Sequence, residues 1–404
     1  MNHPEHPSAG RQLASGLSQS FTRVLAIAGM AALAAIVAGA ADTKTYDHPV
    51  GSEGSVQERG KKAYYPADHF DLTDLPHYAP KERVSGTIRV WGSNYIKEGR
   101  TVEFWEAGFK KYHPDVTFQY RLPNSVLEVV SVATGVAEIG VGPRLTYNDS
   151  KSFSSLHGYE PTEIMFATGA FNVPGWNPAF AIFVNTANPI SKLTIDQLDG
   201  IFGAARSGGY EGTNWRLDYA RGSEMNIRTW GQAGATGEFA DKPIHPLGLN
   251  LRAHWATSIS DFLLKGSDQW NEDLRMYPGN YYFKDGTKIS GAETMVVDVA
   301  KDPYAICYSC LFFKRPQTKA LARAPRGGGT YYEMTLDNIR NRVYPLTDAI
   351  YMYANRAPGK PADPKVREFL CYILSQEGQK DIARDGKYLP LRAQDAEVNR
   401  RKIE

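Results

Sequence analysis

Three short stretches carry side chains suited to gripping a small oxyanion. Gly92-Ser93-Asn94, Ser125 and Thr257-Ser258 each precede a run with helical spacing. Each therefore sets hydroxyl or amide donors beside the unpaired N–H groups of an expected helix start. Such an end carries about half a positive charge and contributes about 0.3–2 kcal/mol to a nearby anion. Several of them around one cleft, with a planar guanidinium fork, would hold a tetrahedral anion; Arg144 and Arg252 are the candidate forks. Plainer readings stand beside these. Capping alone explains Ser125, an ordinary turn explains Ser93 and Asn94, N-caps explain Thr257 and Ser258, and Arg144 suits a cleft rim. His254 and Trp255 read as surface and packing residues.

The elements that must position these groups are clearest from Ser85 to Arg144. Thr87 to Trp91 is apolar on alternate residues and stops at Gly92-Ser93-Asn94, which reads as a strand and a turn. From Thr101, Val102, Trp105, Phe109 and Tyr112 recur at helical spacing, and Pro114 ends the pattern. A second strand covers Val116 to Tyr120. Ser125 to Glu128 has the S-x-x-E form of a capping box, so a helix is expected to open there and close at Gly135. A third strand, Ala137 to Val141, leads into Gly142-Pro143-Arg144. In open α/β sheets ligands sit at such strand C-terminal ends.

The rest alternates strands and helices. Phe180 to Val184 is a strong strand. Thr194 to Gln197 forms a second capping box before Leu198, Ile201 and Phe202. Residues 204–250 are rich in Gly, Pro and Asn, longer than a usual connection, and read as a functional or inserted region. Thr257-Ser258 is expected to open a helix closed by Gly266, another runs from Ala292 to Lys301, and strands are predicted at Tyr304–Phe313 and Val343–Tyr353. Pro364 is an N1 proline for the last helix. The pattern predicts an α/β fold with mainly parallel sheets and, given its length, two lobes with a cleft between them.

Composition narrows the function classes. With 46 basic and 44 acidic residues among 404, no nucleic acid or other polyanion is implied as a partner. Arg11 and Arg23 precede an apolar run, Val24 to Val37, and Ala38-Gly39-Ala40 has the A-x-A form of an export cleavage site. The run is about 14 residues, short of the roughly 20 that span a bilayer. A cleaved signal peptide is therefore expected, cut after Ala40, with a periplasmic or secreted mature protein. Residues 41–83 are polar and turn-rich and form an extension that wraps a lobe through Tyr64, Tyr65, Phe70 and Leu72 or stays mobile. Cys307, Cys310 and Cys371 are the only cysteines; buried thiols, or a bond from one of the pair to Cys371, are the readings, and no zinc ligands cluster near them. Arg326-Gly327-Gly328-Gly329-Thr330 lacks the G-K-[ST] of a phosphate loop. The chain has no G-x-S-x-G, H-E-x-x-H or G-x-G-x-x-G, so neither an enzyme nor a cofactor is expected.

Several of these segments together resemble one family. Ile88–Trp91 with Gly92-Ser93, Ser125, Gly135 to Gly140 with Pro143-Arg144, and above all Asn185–Phe202 are similar to motifs of the phosphate-binding solute receptors of ABC transporters, the PstS-like branch of the type II periplasmic binding proteins. Trp230-Gly231-Gln232, Tyr344-Pro345-Leu346, Leu374 to Gln379 and Tyr388 to Leu391 continue the match, in patches over about residues 84–392. The family's central motif, an arginine followed by Ser-Gly-Thr, reads here as Leu249 to Ser258, with Arg252 as its arginine or compensating for Leu249. The resemblance implies a two-lobed receptor that captures an oxyanion, foremost phosphate, and hands it to a membrane permease, acting as a monomer. It implies a first lobe over 84–185, a second over 186–343 and a return to the first over 344–404. The altered central motif leaves two alternatives: another anion in the same fold, or a sensor or interaction protein that has lost its ligand.

Overall fold

The structure, a computed structural model, describes residues 62–404 except 174–175 and 285–287. The expected signal peptide and the first part of the extension lie outside the described residues. Ten strands build two five-stranded sheets. They are β1 Gly86–Gly92, β2 Val116–Arg121, β3 Ile139–Gly142, β4 Thr162–Thr168, β5 Ala181–Asn185, β6 His245–Leu249, β7 Arg275–Tyr277, β8 Ala305–Ser309, β9 Thr318–Ala320 and β10 Ala349–Ala354. The main helices are α1 Thr101–Phe109, α2 Glu128–Ala133, α3 Tyr147–His157, α4 Ile195–Phe202, α5 His254–Leu264, α6 Gly291–Lys301, α7 Pro364–Ile373, α8 Gln376–Asp385 and α9 Ala393–Arg401.

The first sheet has the order β2-β1-β3-β10-β4 and the second β7-β6-β8-β5-β9. In each, one strand runs against the others. β10 is antiparallel to β3 and β4, and β5 is antiparallel to β8 and β9, while β1 is parallel to β2 and β3 and β6 is parallel to β7 and β8. The reversed strand is in each case the one whose chain has just arrived from the other lobe. Four strands of each sheet point the same way, but four of the eight pairings are antiparallel, so the sheets are mixed rather than mainly parallel as the strand–helix alternation predicts; the fold has two lobes. One boundary differs. Ala181–Asn185, placed in the first lobe by the sequence reading, is hydrogen-bonded into the second sheet. All five of its residues are buried, and a uniformly apolar strand carries no local mark of which sheet it will join.

The first sheet is covered on both faces. Trp105 and Phe109 of α1, Phe118 of β2 and Phe369 of α7 meet edge-on or tilted at centroid separations of 4.9–6.4 Å. Trp105 Nε1 donates to the Gly378 carbonyl of α8 at 3.0 Å. A separate cluster of Val129, Val132, Leu145, Phe153 and Tyr353 seats α2 and α3 on the opposite face. The described part of the extension does wrap this lobe. Tyr65, Phe70, Leu72 and Leu75 are buried. The Tyr78 hydroxyl lies 2.7 Å from both His113 Nε2 and Glu368 Oε2, so a buried polar chain fixes the extension to α7.

In the second lobe the long 204–250 region is riveted to α4. Asp199 is buried; Arg206 grips it bidentately at 2.7 Å on each oxygen, Arg221 Nε adds a bond at 3.2 Å and Arg326 another at 3.0 Å. The Thr194–Gln197 capping box forms as predicted. The other expectations here are partly met. The strand predicted at Tyr304–Phe313 is β8 followed by a 3-10 turn, Leu311–Phe313, and that at Val343–Tyr353 is shorter, as β10. Cys307 and Cys310 are buried free thiols, with burial pushing Cys310 up to about 12. No helix among the described residues is long and apolar enough to cross a membrane.

Candidate functional site

Parallel pairing sets the C-terminal ends of β1, β2 and β3 side by side, so the loops that follow converge. Gly92 ends β1 with φ +134°, and a Cβ there would lie 2.1 Å from the Val141 carbonyl. Only glycine lets the loop press onto β3, and the Ser93 N–H then donates to that carbonyl at 2.7 Å. Ser93 is buried; Asn94 is half-buried and gives its side-chain amide to Glu98.

Ser125 does not form the predicted capping box. Asn124 caps instead, accepting from Val126 N at 3.1 Å, and Ser125 begins a 3-10 turn, half-buried at the same loop cluster. With Asn124 as the cap, Ser125 becomes the first residue of the turn instead of its cap. Glu128, freed from capping, turns inward. It is 5% exposed, its Oε2 has no hydrogen-bond partner among the described residues, and it fills the space a Cβ at Gly142 would need. Burial, with Asp149 and Glu163 nearby, pushes its carboxyl well above the usual range and favours its neutral form.

Arg144 leaves β3 at the same edge. Its surface reaches solvent, and it makes no direct ion pair or hydrogen bond among the described residues. The cleft walls work against its charge by desolvation, but the fields of Tyr351, Glu163 and Asp261 outweigh that and hold it protonated more firmly than usual. Glu163 belongs to the first lobe and Asp261 to α5 of the second, so the guanidinium faces carboxylates from both. Burial raises both carboxyls, Asp261 to about 6, against the lowering effect of Arg144.

The second lobe contributes α5, which begins earlier than predicted. Its N-cap is Ala253, without a side-chain bond, and His254 is its first residue. Thr257 and Ser258 are therefore one turn inside the helix rather than at its start. Thr257 is half-buried; Ser258 is buried and donates its Oγ proton to Asp348 Oδ2 at 2.9 Å. His254 Nε2 lies 3.0 Å from Asn177 Oδ1 and 3.4 Å from Ser258 Oγ. Asn177 gives its Nδ2 to the Ala349 carbonyl at 2.8 Å, which turns its oxygen toward the ring and assigns the imidazole proton to Nε2. Burial lowers the His254 pKa despite Asp348 and Asp149, so the ring is neutral at pH 7. Arg252 is exposed on the preceding loop, where its N–H donates to Asn250 Oδ1 at 3.0 Å.

The structure thus gathers Gly92, Ser93, Asn94, Ser125 and Arg144 along one wall and sets Ser258 against the segments that join the lobes; Arg252 stands apart at the surface. Sequence reasoning missed His254, Asn177, Asp348 and Asp261. The one available signal was that His254 and Ser258 are four apart and so share a helix face. The chemistry favours binding over turnover. Ser258 is held by its bond to Asp348, and His254 presents its protonated nitrogen, so the imidazole is not set to take the hydroxyl proton. No group of three or more His, Cys, Asp or Glu among the described residues could hold a metal ion.

Comparison with known proteins bears on this geometry. Residues 79–377 match the model of the PBP superfamily domain. The chain is 30% identical over 325 residues to the phosphate-binding protein PstS of Pseudomonas aeruginosa, covering 80% of this chain and 88% of that one. Among solved structures it is similar to an ABC-type phosphate transport receptor from Vibrio cholerae, at 19% identity and a TM-score of 0.46, covering 75% of this chain and 100% of that one. It is also similar to PstS from Borrelia burgdorferi, at 16% identity and a TM-score of 0.48, covering 77% and 100%.

Proposed function

The chain belongs to the PBP superfamily, and on that premise we propose that it is an extracytoplasmic receptor whose two lobes close on phosphate and present it to an ABC permease. The observation that carries this is the 30% identity to a phosphate-binding protein across 80% of the chain. In this reading the protein binds and releases; it is not an enzyme. Residues 1–40 direct export and are cut after Ala40, and the mature receptor works in the periplasm as a monomer. The lobes are the two sheet-centred halves, with β5 assigned to the second.

The anion sits at the ends of β1, β2 and β3. Gly92, Ser93, Asn94 and Ser125 supply donors, Arg144 the guanidinium, and Thr257 and Ser258 close from α5. Arg252 is the weakest member of the set, because its side chain stands at the surface outside the helix. The carboxylates around Arg144 favour an anion that itself carries a proton. A carboxylate accepts a hydrogen bond from monohydrogen phosphate, whereas fully ionised sulfate offers none and is repelled. Isothermal titration of the mature chain, stripped of bound ligand, tests this. Phosphate is expected to bind at micromolar Kd or tighter, about 8 kcal/mol or more, with sulfate far weaker. Absence of heat with phosphate overturns the reading.

A further inference from the structure

Within the 204–250 region, Gly209–Glu211 and Asn214–Arg216 pair as an antiparallel hairpin. Its base belongs to the second lobe. Arg206 and Arg221 exchange backbone hydrogen bonds at 2.8 and 2.9 Å, and both guanidinia hold Asp199 of α4. Tyr210 N donates at 2.7 Å to the carbonyl of Lys265, the C-cap of α5, and Gly209 packs so close to that carbonyl that a Cβ would lie 2.6 Å from it.

The tip reaches the other lobe. The Tyr210 ring stacks on Tyr147, the first residue of α3, with centroids 4.3 Å apart and planes at 27°. Trp215 packs edge-on against the back of Tyr210 at 4.9 Å. Thr213 Oγ1 donates to Glu160 Oε1 at 2.7 Å. The hairpin is anchored to one lobe by buried ion pairs and backbone bonds, and it touches the other through one ring stack and one hydrogen bond.

Helix α5 relates this contact to the binding cleft. It has 11 residues and is about 16 Å long. Near its N-terminal end Ser258 meets Asp348 and His254 meets Asn177, on the two segments that connect the lobes. Its C-cap carries Tyr210. Asp261, between them, faces Arg144, and Tyr147 follows Arg144 by three residues. The lobes are therefore held at both ends of the proposed anion site, by the connections at one end and by Tyr210 on Tyr147 at the other.

We infer that the 209–216 hairpin is a clasp: it moves with the second lobe, stacks on the first only when the cleft is shut, and raises the closed population of the receptor whether or not ligand is present. A ligand that binds the closed form gains apparent affinity in proportion to that population. A half-buried aromatic pair of ordinary strength changes the open–closed ratio about fivefold.

The clasp itself is tested without ligand, by the distance between spin labels at Ser155 of α3 and Gln269 beyond α5 in a Cys371→Ser background. Tyr210→Ala is expected to shift the open–closed ratio about fivefold toward open, Tyr147→Ala to do the same from the opposite lobe, and the double variant to add little to either. Tyr210→Phe keeps the ring and is expected to keep the wild-type distribution. Unchanged distances in both alanine variants, or additive effects in the double variant, overturn the proposal. The binding readout rests on the receptor reading: phosphate release, followed by stopped flow, is expected to be about fivefold faster in Tyr210→Ala. Failure of the wild type to bind phosphate would remove that reading while leaving the distance measurement to decide the clasp.

Discussion

The Ser258 hydroxyl and the Asp348 carboxylate, 90 residues apart in sequence and 2.9 Å apart in space, tie the second lobe's helix α5 to the segment that returns the chain to the first lobe. Both residues are buried, and the second Asp348 oxygen is occupied by the Ala349 N–H at 2.8 Å. The pair fixes where α5 starts its path along the cleft.

Ser258→Ala leaves Asp348 Oδ2 buried without its donor. A loss of about 1–3 kcal/mol in unfolding free energy is expected from urea titration. Asp348→Asn in the same background removes the stranded charge and is expected to recover part of it. Equal stability of Ser258→Ala and wild type would show that the bond contributes nothing.

The two arginines separate sharply. Both are exposed, but Arg144 faces Glu163 of one lobe and Asp261 of the other, whereas Arg252 stands on the loop before α5. Arg144→Ala is expected to weaken phosphate binding by about 10- to 100-fold, the worth of a charge-assisted hydrogen bond. Arg252→Ala is expected to stay within about twofold. Calorimetric titration of both variants checks the contrast, and the reverse order would move the site to the α5 loop.

Two neighbours on α5 respond oppositely to pH. Asp261, raised to about 6 from 3.8, binds its proton in the native state before the unfolded chain does. Its ionisation therefore costs stability above about pH 6, and Asp261→Asn is expected to stabilise the protein at pH 7 by up to about 3 kcal/mol. That gain disappears below about pH 4, where both states are protonated. His254 is lowered from 6.5, so the unfolded chain takes its proton first. Stability from this group is whole above about pH 6.5 and declines as pH falls below it. Thermal midpoints across pH 4–8 for Asp261→Asn and His254→Asn check both signs.

Asp199 carries three guanidinia on one buried carboxylate. Asp199→Ala strands Arg206 and Arg221 in the interior and is expected to cost about 3–5 kcal/mol. Because these arginines close the base of the 209–216 hairpin, hydrogen exchange across residues 206–221 is expected to rise with it. Unaltered exchange there would mean that the hairpin stands without its rivet.

Local signals carried most of the fold. Thr194 to Gln197, Pro364 and the alternation of β1 each state their element within a few residues, and the structure follows them. Errors arose where two local options compete or where the choice is made at long range. Asn124 and Ser125 are both good cap residues, and the chain starts its turn one residue earlier, on Asn124. Helix α5 starts after Ala253, which has no capping side chain, so the first strong cap residues, Thr257 and Ser258, drew the start too late. Nothing near His254 announces Asn177, 77 residues earlier, or Asp348. The donors of the first lobe were legible because parallel strands align their own ends. The acid residues around Arg144 were not, because Glu163 comes from β4 and Asp261 from α5, almost 100 residues apart.

The placement of β10 has a consequence for how the molecule is born. It lies between β3 and β4 in the first sheet, yet it is made after the whole second lobe. While the chain is growing, β3 and β4 have no strand between them, and the first half presents two unsatisfied edges. The first half therefore cannot complete its sheet until the second lobe has been synthesised, whereas the second sheet draws all five of its strands from one continuous stretch of chain. During synthesis the second lobe can close first, and the first lobe keeps an open seam between β3 and β4 until the chain comes back to fill it.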